Sequence, residues 1–130
     1  MDRLLLLLNS AYLGLGAFFS FFVAPTLFRV LSKEQAGSVV QRVFPVYFYI
    51  GLAVSFLTLL LGLRVGKLVA LLALVNLSLH ALHLFYVLPT VHSLKGVDQS
   101  AFAKWHGISM GLNLLSLSLT FLLCALLLRK

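Results

Sequence analysis

Carboxylates are nearly missing from this chain: among 130 residues only Asp2, Glu34 and Asp98 carry one. Charged residues of both signs make up 10% of it, against about 25% in ordinary soluble domains. Hydrophobic residues reach 62%, more apolar surface than a core of this size can hide from water. A water-soluble fold is therefore excluded, and lipid must be the solvent for much of the molecule. The single cysteine, Cys124, rules out an internal disulfide. Also lacking are an H-E-x-x-H pair, neighbouring carboxylates within the apolar runs, a G-x-S-x-G elbow and a phosphate-cradling glycine loop, so the expectation is a protein that is not an enzyme. The net charge of +7 is spread in ones and twos. That pattern suits anionic headgroups and excludes a nucleic-acid groove.

A helix needs about 20 mostly apolar residues to cross the hydrocarbon core. Four stretches bounded by charges meet that need, at about residues 4–28, 43–63, 68–91 and 102–128. The first runs too far to be a signal-peptide core and lacks a small-x-small cleavage site, so it reads as a retained helix. The brief turn Arg64–Lys67 makes the second and third spans an antiparallel hairpin. The fold expected is all-α, a single domain over 1–130: an integral membrane four-helix bundle with both termini on one side.

Between the first two spans, Ser32 and Gln35 form a capping-box pattern, and Val39, Val40 and Val43 alternate with Lys33, Gln41 and Arg42. The reading is a short amphipathic helix lying on the membrane surface and bending at Pro45 into the second span. His92–Ser100 reads as a loop with Asp98 or Ser100 capping the fourth span. Internal repeats and low-complexity tails are not expected. Lys and Arg divide evenly: Arg3, Arg64, Lys67, Arg129 and Lys130 on the terminal side, Arg29, Lys33, Arg42, Lys95 and Lys104 on the other. The compact basic turn and the free amine place the termini in the cytoplasm of a cell membrane.

Polar residues inside the spans recur at helical spacing and should mark inward faces, because they are costly in hydrocarbon. They are Asn9, Tyr12, Gly16 and Ser20; Tyr47, Gly51, Ser55 and Thr58; Asn76, His80 and His83; and His106, Ser109, Asn113, Ser116 and Thr120. From a rise of 1.5 Å per residue, His83 lies roughly 12 Å inside the end of its span and His106 about one turn inside the start of the next. Both measure from the same membrane side. A small-molecule ligand site is expected at Tyr47, His106, Ser109 and Asn113. The alternative is a haem or copper ion held by His83 and His106, and a third reading is a structural or assembly protein. A transport pathway through so small a bundle would call for a homodimer.

Two stretches carry a family likeness. Gln41–Ile50 (QRVFPVYFYI) and Phe102–Leu114 (FAKWHGISMGLNL) resemble the F-P-x-Y and F-x-x-[WY]-H-G-x-S-x-x-x-N-L segments of the transmembrane-protein-205-like membrane proteins, with Pro25–Phe28 and Ala36-Gly37 in matching places. The resemblance implies a four-span bundle with no assigned reaction; eukaryotic members are associated with cisplatin resistance. It picks out Phe44, Pro45, Tyr47, His106, Gly107, Ser109 and Asn113, and does not include His80 or His83. The loop before the fourth span is shorter here than in the eukaryotic proteins. A fainter likeness to copper-resistance D-type membrane proteins keeps copper or haem as the alternative.

Overall fold

A computed structural model describes residues 1–130 as an all-helical chain. Four helices compose it: α1 (Asp2–Val30), α2 (Lys33–Gly62), α3 (Lys67–Leu94) and α4 (Gln99–Leu128), each long and apolar enough to cross a membrane. At 1.5 Å per residue, helices of this length reach about 42–45 Å, enough for the hydrocarbon core and both headgroup layers. Only 29 of the 130 residues are buried, while Phe21, Leu71, Phe85, Phe121 and many similar side chains stand exposed. Such an apolar exterior is a surface for acyl chains.

The breaks between helices follow local chemistry. Leu31 turns extended and the Gln35 N–H donates to Ser32 Oγ at 3.2 Å, starting α2. Asp98 does the same for α4, its Oδ1 accepting the Ala101 N–H at 3.1 Å. Gly96, the one residue in the left-handed region (φ 78°), closes the α3–α4 loop in a conformation that a side chain would strain.

The expected surface helix is not a separate element. Lys33–Gly62 is one continuous helix with Pro45 inside it. A proline removes one backbone hydrogen bond and crowds the preceding turn, yet Phe44 and Phe48 stack beside it with ring centroids 5.5 Å apart, and Phe19 of α1 meets Phe44 edge-on at 5.0 Å. Helical structure continues through the proline from Lys33 to Gly62.

Contrary to the expectation of no internal repeat, α1 and α3 share a pattern. α1 and α3 each contain one π-helical turn, Phe19–Val23 and His83–Val87. In each the next N–H reaches five residues back, Ala24 to the Phe19 carbonyl and Leu88 to that of His83. Pro25 and Pro89 follow immediately, within the matching strings FFVAPT and FYVLPT. A wide turn accommodates the carbonyl that the proline ring would otherwise strike. The inward positions correspond as well: Leu5, Asn9, Tyr12, Gly16 and Phe19 of α1 stand in the register of Val69, Ala73, Asn76, His80 and His83 of α3, and all ten are buried. The first and third helices thus repeat one pattern at a constant offset.

The four helices form a ring, with α2 packed most extensively on α3 and α1 on α4. Two apolar clusters close the ends. Leu5, Val69, Leu123 and Leu127 fill the end that holds the termini and the α2–α3 turn, where Lys130 Nζ donates to the Val65 carbonyl at 3.5 Å. Phe48, Leu84 and Leu88 pack with Tyr12 and Tyr47 toward the opposite end. Between the clusters lies a polar band.

Candidate functional site

The band is assembled from the stripes that helical spacing placed inward. In its first layer Tyr47 Oη donates to Asn113 Oδ1 at 2.9 Å, and Asn113 Nδ2 donates to Ser20 Oγ at 2.8 Å, so α2, α4 and α1 meet through three side chains. The Tyr12 ring stacks on Tyr47 at 5.1 Å with only 13° between planes. Gly16 makes room for this layer, since a Cβ there would overlap Tyr47 Oη and Leu117 Cδ2.

One turn deeper, His80, Asn76, Ser116 and Thr120 form a second network. Ser116 Oγ lies 2.7 Å from Asn76 Oδ1 and 3.0 Å from His80 Nε2. Asn76 Nδ2 donates to Thr120 Oγ1 at 3.0 Å, and Thr120 donates to the Ser116 carbonyl at 2.9 Å. Beyond it, Asn9 Nδ2 donates to Thr58 Oγ1 at 2.9 Å, joining α1 to α2. Nearly every polar atom in the band has a partner, as burial demands.

Two do not. His80 Nδ1 is buried and unpaired, and Tyr12 Oη is buried with only the Tyr47 hydroxyl of the stacked ring beside it, short of good hydrogen-bond geometry; the residues are 1% and 3% exposed. Both rings lean on Gly51 of α2, where a Cβ would overlap Tyr12 Oη and His80 Cε1, and the rings meet edge-on with centroids 5.5 Å apart. An unpartnered buried hydroxyl or imidazole nitrogen costs about 1–3 kcal/mol. Both atoms lie near mid-span.

The expected ligand set is only partly brought together. Tyr47 and Asn113 join each other, but Ser109 is occupied by His83, whose Nε2 lies 2.6 Å from Ser109 Oγ. His106 is exposed on the outer side of α4, stacked on Phe102 with centroids 5.8 Å apart. A stripe read at steps of three and four averages 3.5 residues per turn and drifts about 20° per heptad from a straight helix. His106, at the far end of the stripe, is the residue that drift carries outward.

His83 and His106 consequently do not converge, one lying in the core and the other outside. The His83 ring is packed against Phe48 at 3.9 Å, and no three His, Cys, Asp or Glu side chains gather anywhere in the bundle. These donors do not fit an axially bound haem or a copper ion. Tyr12 and His80 went unrecognised as a site by sequence; their stripe positions placed them inward, but nothing in the spacing separates a paired group from an unpaired one.

The sequence model of a family described as a domain of unknown function, DUF4149, matches residues 7–100. This finding replaces the transmembrane-protein-205-like assignment expected from the motifs; the matched region stops before Phe102–Leu114, the stretch that carried most of that likeness. An uncharacterized protein of Aquifex aeolicus (strain VF5) is 51% identical over 119 residues, covering 92% of this chain and 90% of its own. No solved structure matches.

Proposed function

Since the chain belongs to the DUF4149 family, whose description assigns no activity, we propose its role from the interior: a non-enzymatic multi-pass membrane protein that holds a small polar ligand between its helices at mid-span. The observation that carries this reading is the pair of buried atoms without a well-formed hydrogen bond, Tyr12 Oη and His80 Nδ1, held against Gly51. Tyr47, Asn113, Ser20, Asn9 and Thr58 serve as interhelical fasteners around it, because their polar atoms are spent on one another. That satisfaction is also what favours the second reading, a structural protein whose polar interior only fixes helix register.

The apolar clusters close the band at both ends, so a single copy provides a site, and a transport pathway would need a second copy or movement of the helices. The π-turns before Pro25 and Pro89 are the places where such movement costs least, because the backbone ladder is already interrupted there. We assign the protein to the cell membrane with both termini in the cytoplasm, which fluorescence of a green-fluorescent fusion after Lys130 tests directly.

The sign of one substitution separates the two readings. If the site is filled, Tyr12→Phe removes a hydrogen bond to the occupant and lowers the melting temperature of the purified protein. If it is empty, the same change deletes an unsatisfied hydroxyl and stabilises the bundle by about 1–3 kcal/mol. Tyr49→Phe, on the exposed face, serves as the control. A raised melting temperature for Tyr12→Phe contradicts a ligand site.

A further inference from the structure

Basic residues are placed differently at the two ends of the bundle. At the end that holds the α1–α2 and α3–α4 connections, Arg29 donates to Thr26 Oγ1 at 3.3 Å, Lys95 Nζ donates to Gln41 Oε1 at 3.4 Å, and Glu34 and Asp98 stand among the cations. At the other end the α2–α3 turn, Arg64-Val-Gly-Lys67, meets the last residues of α4. Val65 packs against the cluster of Leu5, Val69, Leu123 and Leu127, which fixes the turn and leaves Arg64 and Lys67 exposed on either side of it. Lys130 Nζ donates to the Val65 carbonyl at 3.5 Å and sits over Gly66, 3.4 Å from where a Cβ would stand. That contact brings Arg129 and Lys130 to the turn that carries Arg64 and Lys67, at an end of the bundle where Asp2 is the one carboxylate side chain. Cations gathered in this way repel one another unless an anion lies among them.

We propose that this cluster binds the headgroup of an anionic glycerophospholipid, the phosphodiester lying between the α2–α3 turn and the end of α4. Charge gives the sign of the partner, and the neighbouring residues give its class. Leu63, Leu68 and Leu128 stand one position nearer the membrane centre than Arg64, Lys67 and Arg129, and all three are exposed. Each of these helix ends thus presents a cation at headgroup depth with an apolar side chain beneath it. An acidic protein segment or a nucleic acid would satisfy the cations and leave the leucines uncovered. A negative headgroup with acyl tails covers both. A zwitterionic headgroup fits less well, because its ammonium meets the same cations. The bound phosphate ties the end of α4 to the α2–α3 turn, adding charge-assisted bonds to the contact between Lys130 and Val65. The site lies at the membrane surface, apart from the polar band, and stands whether or not the band holds a ligand.

Native mass spectrometry of the full chain tests this, with the protein released from micelles that hold equimolar phosphatidylglycerol and phosphatidylcholine of identical acyl chains. The expected result is retention of phosphatidylglycerol in preference to phosphatidylcholine. Arg64→Gln, Lys67→Gln and Arg129→Gln should each lower that preference about fivefold, the contribution of one surface cation toward an anionic lipid. Lys33→Gln and Lys104→Gln remove the same charge at the opposite end, many screening lengths away, and should change it by less than about twofold. Melting temperatures in phosphatidylcholine alone, expected to match the unsubstituted chain, read folding separately. Absence of any preference overturns the site. So does an equal loss with Lys33→Gln and Lys104→Gln, which would assign the effect to net charge. Glycerophosphoglycerol, the soluble headgroup without tails, distinguishes the sources: failure to displace the lipid at equal concentration supports the proposal, and displacement as effective as that by added phosphatidylglycerol overturns a lipid as the occupant.

Discussion

Tyr47 on α2 and Asn113 on α4 are joined across the bundle by a 2.9 Å hydrogen bond, and neither helix is among the other's main packing partners. The bond therefore spans the interior of the ring, where it fixes the relative register of α2 and α4 without help from a continuous side-chain interface. Buried hydrogen bonds between membrane helices contribute about 0.6 kcal/mol on average and up to about 1.7 kcal/mol. A double-mutant cycle with Tyr47→Phe and Asn113→Leu should return a coupling energy in the upper part of that range, read from unfolding equilibria in bicelles. Asn113→Leu alone should cost more than the coupling, because Ser20 also loses its donor.

Glycines divide sharply by what a Cβ would meet. Gly16 and Gly51 face side chains in the core, while Gly14, Gly107 and Gly111 look onto open space. Gly16→Ala and Gly51→Ala are expected to destabilise by about 1–3 kcal/mol through overpacking. Gly14→Ala should be neutral or stabilising by up to about 1 kcal/mol, since alanine holds helical backbone better. Thermal unfolding of the three variants side by side checks the order.

The two histidines once paired by depth should behave differently. His83→Leu leaves Ser109 Oγ without its 2.6 Å partner and is expected to cost about 1–2 kcal/mol. His106→Leu, on the exposed face, should change stability by less than about 0.5 kcal/mol. Haemin added to the purified protein should give no Soret band that both substitutions abolish.

Much of this architecture is legible in the residues themselves. Four charge-free runs give four spans, and polar positions at steps of three and four give the inward faces of α1, α2 and α3, from Asn9 and Tyr12 through Thr58 to His80 and His83, with only Ser20 left half-buried. The pattern fails at His106, where a 3.5-residue average drifts off the face of a real helix. Pro45 misleads in the other direction: proline signals a break, but α2 runs through it as one helix, and the Phe19 ring of α1 packed on Phe44 beside it is a tertiary contact. The likeness of α1 to α3 is hidden because equivalent inward residues differ in type, Tyr12 against Asn76 and Gly16 against His80, so only the FFVAPT and FYVLPT strings keep it. Whether Tyr12 Oη or His80 Nδ1 finds a partner depends on rotamers and interhelical distance, which residue spacing does not encode.

The central claim is that polar stripes face inward while the rest of each helix meets acyl chains, and oxygen accessibility of spin labels along α4 tests it most directly. In a Cys124→Ala background reconstituted into bilayers, labels at 114, 115, 118 and 122 should collide with dissolved oxygen frequently, and labels at 113, 116 and 120 several-fold less, a modulation with helical period. High accessibility at 113, 116 and 120, or none of that periodicity, would contradict the bundle described here and the site within it.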